Sequence, residues 1–257
     1  KYDSATVQLQ QALTTYPASD PEPATRAAML GELANVHFYA GRYDASDSLN
    51  RIALTIHEAR GGVRHPAVAE IFVNLGASEF ERGRYAEADQ WYRRAFSIDS
   101  AFYGLQHYRT AATLVMRGRT LLRLEQFDAA ELLLKQALSV QRATFGDAHP
   151  RVASILNELG NGAIKRQAYD SADAYFTRMA AVYRAANGDA HFTVAVALSN
   201  RATVHTEQGQ YARAEAIYRD VVERFARAQG ADHVNTGIAR IKLGRSLIRQ
   251  RRWREGI

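Results

Sequence analysis

The sequence predicts an all-α repeat fold of about six antiparallel helix pairs, and three observations carry that prediction. His65, His107, His149, His191 and His233 recur every 42 residues, each three residues after a glycine: Gly62, Gly104, Gly146, Gly188 and Gly230. An aromatic ladder of the same period runs through Tyr43, Tyr85, Phe127, Tyr169, Tyr211 and Trp253, and three residues after each comes Ser46, Ala88, Ala130, Ala172, Ala214 or Gly256. Ten residues before each aromatic stands a pair whose second member is always Gly or Ala: Leu33-Ala34, Leu75-Gly76, Arg117-Gly118, Leu159-Gly160, Arg201-Ala202 and Leu243-Gly244.

Each period divides into two helices. The first runs from about the His to the region of Gly83 in the copy that carries Ala69, Phe72, Leu75 and Phe80 at helical spacing. The second, "YAEADQWYRRAFSID", carries Tyr85, Ala88, Tyr92, Ala95 and Phe96 on one face. Small residues on both helices allow close approach, and the aromatics fill the space between them. Gly62 and its equivalents suit a left-handed residue past the end of a helix. His65-Pro66 and His149-Pro150 suit the next helix start, where Pro is tolerated. A metal site is the competing reading of the histidines. Equivalent positions in adjacent repeats lie on the order of 10 Å apart, whereas zinc ligands sit about 2 Å from the metal. The histidines therefore read as helix punctuation, with no metal and no cofactor expected.

The 257 residues are 47% hydrophobic and 23% charged, a folded composition without a membrane-length apolar run. Cysteine is absent, which excludes disulfides and cysteine–metal sites. The net charge of +6 is carried by 29 Arg and only 4 Lys, an Arg- and Ala-rich usage that points to a GC-rich, bacterial genome. A modest charge spread over a long chain is not a nucleic-acid signature. No phosphate-loop pattern occurs, "HEARG" at 57–61 lacks the second His of a zinc-protease helix, and no Ser/His/Asp set stands out. The expectation is a segment that is not an enzyme.

These motifs resemble the tetratricopeptide repeat, and the 42-residue unit exemplified by "FGDAHPRVASILNELG" resembles its kinesin light chain-like type. The resemblance implies a right-handed superhelix forming a single array over 1–257. Its units are a partial one at 1–22 (helix B only), full repeats at 23–64, 65–106, 107–148, 149–190 and 191–232, and a partial one at 233–257 (helix A only). Departures from the pattern are Arg117 and Arg201 in place of Leu, and Glu125, Gln167 and Arg251 in place of the turn Gly. Asn50 replaces a helix-B aromatic, and Met179 and Val221 replace Ala. All are expected to loosen local packing. An array that starts and stops within units is expected to be a fragment of a larger protein.

The resemblance also implies a concave groove lined by helix A, at positions two before, two after and six after the Leu of the Leu-Gly pair. The candidate peptide-binding residues so placed are Asn35, Tyr39, Arg119, Arg123, Asn157, Asn161, Lys165, Thr203 and Arg245. Spacings of four put each set on one helix face. Asn can donate to and accept from a peptide backbone, and Arg or Lys can hold a carboxylate. The expected partner is an extended, acidic or C-terminal peptide. The alternative is a regulatory or self-association region of a multidomain bacterial protein, such as a serine/threonine kinase or signalling scaffold, with an intramolecular partner. Seven basic residues and no acid lie between Arg240 and Arg254, yet without aromatic interleaving beyond Trp253 nucleic acid is not the expected partner. A cytoplasmic location is the matching expectation.

Overall fold

The structure, a computed structural model, describes residues 2–16 and 23–255; Lys1, residues 17–22, Gly256 and Ile257 lie outside it, and with them part of each terminal unit and the last small residue of the ladder. The described residues form twelve α-helices and no strand: α1 (Tyr2–Thr15), α2 (Pro23–Tyr39), α3 (Tyr43–Gly61), α4 (Pro66–Glu81), α5 (Tyr85–Tyr103), α6 (Tyr108–Arg123), α7 (Phe127–Phe145), α8 (Pro150–Lys165), α9 (Tyr169–Asn187), α10 (Phe192–Glu207), α11 (Tyr211–Gln229) and α12 (Val234–Arg249). From α3 onward they alternate strictly between 19 residues for helix B and 16 for helix A. The chain separates into two compact units, 1–126 and 127–257, with the division between helix A and helix B of the third full repeat.

The 42-residue punctuation has a definite chemistry. At the start of α4, α6, α8, α10 and α12 the preceding histidine is the N-cap, and its Nδ1 accepts the N–H two residues on: Ala67, Arg109, Arg151, Thr193 and Asn235, at 3.1–3.4 Å. An imidazole thus does the work usually given to Ser or Asp, satisfying one of the orphan donors of the first turn. Acceptance at Nδ1 places the ring proton on Nε2.

The glycines before these histidines are not in the left-handed helical well. Gly62, Gly104, Gly188 and Gly230 combine φ of 74 to 102° with ψ of 156 to 168°. That extended region at positive φ is essentially closed to residues with a Cβ, so Gly recurs in every copy. At the other turn, helix A closes with paired bonds, such as Gly41 N–H to Phe38 O and Arg42 N–H to His37 O, the Schellman pattern. There an ordinary left-handed residue suffices, and Glu125, Gln167 and Arg251 take φ of 57 to 63°.

Packing within a pair depends on the small residue after the Leu. A Cβ on Gly76 would stand 2.7 Å from Tyr92, and one on Gly160 would stand 2.6 Å from Phe176. In unit 1 the core gathers Leu30, Val68, Phe72, Leu75 and Ile98; in unit 2 Phe176, Leu134, Ile155 and Leu156 are fully buried. Met179 and Val221 are buried like the alanines they replace. Asn50, 1% exposed, donates to Ser46 O and accepts from Asn74.

The two arginines expected to loosen packing prove to be structural. Asp47, Asp89, Glu131, Asp173 and Glu215 recur every 42 residues on helix B, and each meets a cation from the next helix A or just beyond it. Arg82 holds Asp47 at 2.7 Å and Arg166 holds Glu131 at 2.5 Å, both from the end of helix A. Arg117 holds Asp89 at 3.1 Å and Arg201 holds Asp173 at 2.6 Å, both from the Leu position seven residues earlier. Glu215 is bound by Gln250 at 2.7 Å and Arg252 at 2.8 Å. Seven residues are two helical turns, so either position faces the same acid. Arg252 reaches Glu215 from two residues further on, so Arg117 and Arg201 are one of three ways to neutralise one recurring place in the repeat.

Candidate peptide-binding surface

The candidate residues sit on successive turns of helix A, and each unit presents its own set. In unit 1, Asn35 is half-buried on α2 and Tyr39 stands 69% exposed at its end, its ring edge-on to Phe38 at 5.5 Å. On α6, Arg119 is half-buried and Arg123 exposed. Their guanidinium carbons lie 5.6 and 5.9 Å from the ring centroid of Phe80 on α4. One ring thus carries two cations, a cation–π arrangement that orients both forks. Helical spacing places Phe80 with the apolar face of its helix; its half-buried state gives it this second role.

In unit 2, α8 presents Asn157, Asn161 and Lys165 at intervals of four. Asn161 and Lys165 are exposed, and no described side chain forms a hydrogen bond or ion pair with either. Asn157 is half-buried and accepts from Asn200 Nδ2 at 2.7 Å, so its carbonyl is already committed. Thr203 on α10 donates to Ser199 O and shares a hydrogen bond with the Tyr218 hydroxyl at 3.1 Å. Its hydroxyl is therefore turned to the helix pair. Arg245 on α12 is exposed, and its neighbour Lys242 reaches Ser199 Oγ at 3.2 Å, burial holding the Lys242 amine below its ordinary value. Asn200 and Lys242 escaped sequence reasoning because neither falls on the transferred positions.

These helix pairs, with a polar helix-A face and short periodic turns, define an α-helical repeat scaffold of the kind that presents surfaces to other proteins. The family model for the tetratricopeptide repeat matches residues 25–101, 68–143, 151–225 and 193–255. The chain belongs to the tetratricopeptide repeat family. No curated protein matches the sequence. Among solved structures it is similar to BtubC (BKLC) from P. vanneervenii, with 20% identity, TM-score 0.73, and coverage of 88% of this chain and 89% of that one. It is also similar to a putative kinesin light chain from Podosopora anserina with nearly identical repeats, at 18% identity, TM-score 0.71, and coverage of 82% and 99%. A signal-transduction ATPase with numerous domains from Pyrococcus horikoshii, which has a tetratricopeptide repeat sensor, matches at 14% identity and TM-score 0.74 over 99% of this chain and 37% of that one. At these identities the likeness establishes the fold: the all-α superhelical repeat class, in its kinesin light chain-like form. Among the described residues no helix is long and apolar enough to cross a membrane.

Proposed function

We propose that the helix-A surfaces bind an extended peptide bearing acidic residues or a free C-terminus, and that the segment is a non-catalytic protein-interaction module. One observation carries the reading. The arginines at the repeat boundaries are all ion-paired, whereas no described carboxylate lies within ion-pair distance of Arg123, Lys165 or Arg245. Cations on helix A that the fold does not consume are available to a ligand carboxylate. Asn161 beside Lys165 adds a donor and an acceptor for peptide backbone. Fluorescence anisotropy against peptides differing in acidity and C-terminal amidation tests this. Arg123→Ala and Lys165→Ala, each checked for unchanged helicity, should weaken acidic-peptide binding about tenfold, the order of one charge-assisted bond. Equal affinity in both variants, or no binding by any peptide at micromolar concentration, overturns the proposal.

A regulatory or self-association role is favoured by a different feature. α12 exposes Val234, Ile238, Ile241 and Ile248 at 38–66%, an apolar set unusual for a free surface. Sedimentation velocity over a hundredfold concentration range distinguishes the two: a size that grows with concentration and is indifferent to Lys165→Ala supports association through α12.

A further inference from the structure

The five histidine turns share one backbone but differ in what they show to solvent. In unit 2 the residue after the turn glycine is Asp147, Asp189 or Ala231; in unit 1 it is Val63 and Leu105, exposed by 62% and 50%. Phe102, at the end of α5, is 62% exposed, where the other copies carry Arg60, Thr144, Ala186 and Ala228. The repeat is its own control here. The same turn is built with Asp, Ala or Thr elsewhere, so the fold does not require these three apolar side chains.

Their surroundings are basic and aromatic. Arg60, Arg64 and Arg109 are exposed beside them; the acids close by are Glu58, Glu70, whose carboxylate acts on Arg109, and Asp99, which is buried against Thr113. Behind Phe102 the rings form a stack: Phe102 edge-on to Tyr103 at 4.8 Å, Tyr103 parallel to His107 at 4.4 Å, and His107 against Tyr108 at 4.5 Å. Arg109 lies 5.7 Å from the Tyr103 centroid. Projecting apolar side chains, a tyrosine-rich layer and a ring of cations are the three things an anionic bilayer interface takes up together. A protein partner would have to bring a recess shaped for each projecting side chain, whereas a lipid interface needs no shape match.

We propose that the α3–α4 and α5–α6 turns of unit 1 form a docking edge for an anionic lipid surface. Val63, Phe102 and Leu105 insert among the headgroups, and Arg60, Arg64 and Arg109 engage the negative charge. Apart from Arg109, in the first turn of α6, this surface lies outside helix A, and none of its residues is a peptide-binding candidate, so it is independent of the peptide reading.

The test is flotation of the full chain with vesicles of phosphatidylcholine alone or with ~30% phosphatidylserine, a fraction that gives the anionic surface potential the proposal needs. Val63→Ala, Phe102→Thr and Leu105→Ala install residues already used at Ala231, Thr144 and Ala231, so the fold is preserved and no repelling charge is added. Partition onto the anionic vesicles is expected to fall at least tenfold in the triple variant. It should fall about fivefold for each of Arg60→Gln and Arg64→Gln, the factor equivalent to ~1 kcal/mol per basic residue at an anionic surface. Equal partition onto both vesicle types, no partition onto either, or full partition by the triple variant overturns the proposal. So does loss on changing Arg251→Gln and Arg254→Gln instead, which would place lipid contact at the basic C-terminal run. Absence of vesicle binding combined with loss of a protein ligand in the triple variant would assign the edge to a protein.

Discussion

Replacing Arg117 by Leu restores the residue that the repeat pattern prefers, and the structure says it should nevertheless destabilise the protein. Arg117 is 15% exposed and its Nε lies 3.1 Å from Asp89, whose side chain is 6% exposed. Removing one member of a buried pair typically costs about 3–5 kcal/mol. Asp89 keeps a second partner, Arg93 at 2.6 Å, so a loss of about 2 kcal/mol is the expected remainder. The decisive variant is the double one. Leu124 occupies the place that Arg82 and Arg166 occupy in the neighbouring copies, and its backbone (φ −83°, ψ 5°) matches theirs (φ −76°, ψ −4° and φ −85°, ψ 1°). Arg117→Leu with Leu124→Arg therefore converts this junction to the alternative arrangement. It should recover at least half of the lost stability, a favourable coupling of about 1 kcal/mol or more. Urea unfolding followed by far-UV circular dichroism gives the free energies, and native-state hydrogen exchange of α5 and α6 amides localises them. If Arg117→Leu is neutral or stabilising, or if the two changes merely add, the acid ladder does not hold the repeats as argued.

Three further outcomes are expected. His149→Ala should cost about 1 kcal/mol, and His149→Asn should restore most of it, because the loss is a side-chain acceptor for the Arg151 N–H; paired thermal melts decide. Gly188→Ala, at φ 85° and ψ 157°, should cost about 2 kcal/mol, whereas Gln167→Gly, at φ 59°, should gain up to about 1 kcal/mol; opposite signs in urea midpoints are the signature. Burial raises the Asp99 carboxyl above its ordinary value, against the Thr113 hydroxyl bond at 2.7 Å. A raised folded value means stability is lost as pH climbs from about 4 through that value and stays lost above it. Asp99→Asn should be more stable than the parent at about pH 7, with the advantage shrinking toward about pH 4; a constant difference in urea titrations across this range would contradict the assignment.

The helices, their turns and the role of the histidines were readable because a strict 42-residue period repeats each local signal five or six times. The glycine before each His was readable as positive φ, yet its extended ψ was not, since sequence marks only that a Cβ is unwelcome. The acid–arginine pairs were hidden for a different reason. The acids keep one register while their cations take three different places, so Arg117 and Arg201 looked like lapses in a leucine ladder. At the candidate surface, spacing located Asn161, Lys165 and Arg123 on accessible helix faces but could not foresee that Asn157 spends its carbonyl on Asn200 and Thr203 its hydroxyl on Tyr218. Side-chain commitments between neighbouring helices depend on rotamers and approach distances that periodicity does not encode.

From Asp47 to Glu215 the acid and its cation stand on opposite sides of a repeat boundary, and the acid keeps one place in the repeat. These five boundaries are therefore standard couplings: a helix A with its arginine early, at its end or just past it finds a carboxylate waiting where it can reach. Among the copies from 65 to 232, which each carry both the acid and an arginine, one gained, lost or exchanged by recombination at the 42-residue period would strand no buried charge. Such a chain can change its length in evolution, one repeat at a time, without first having to redesign its joints.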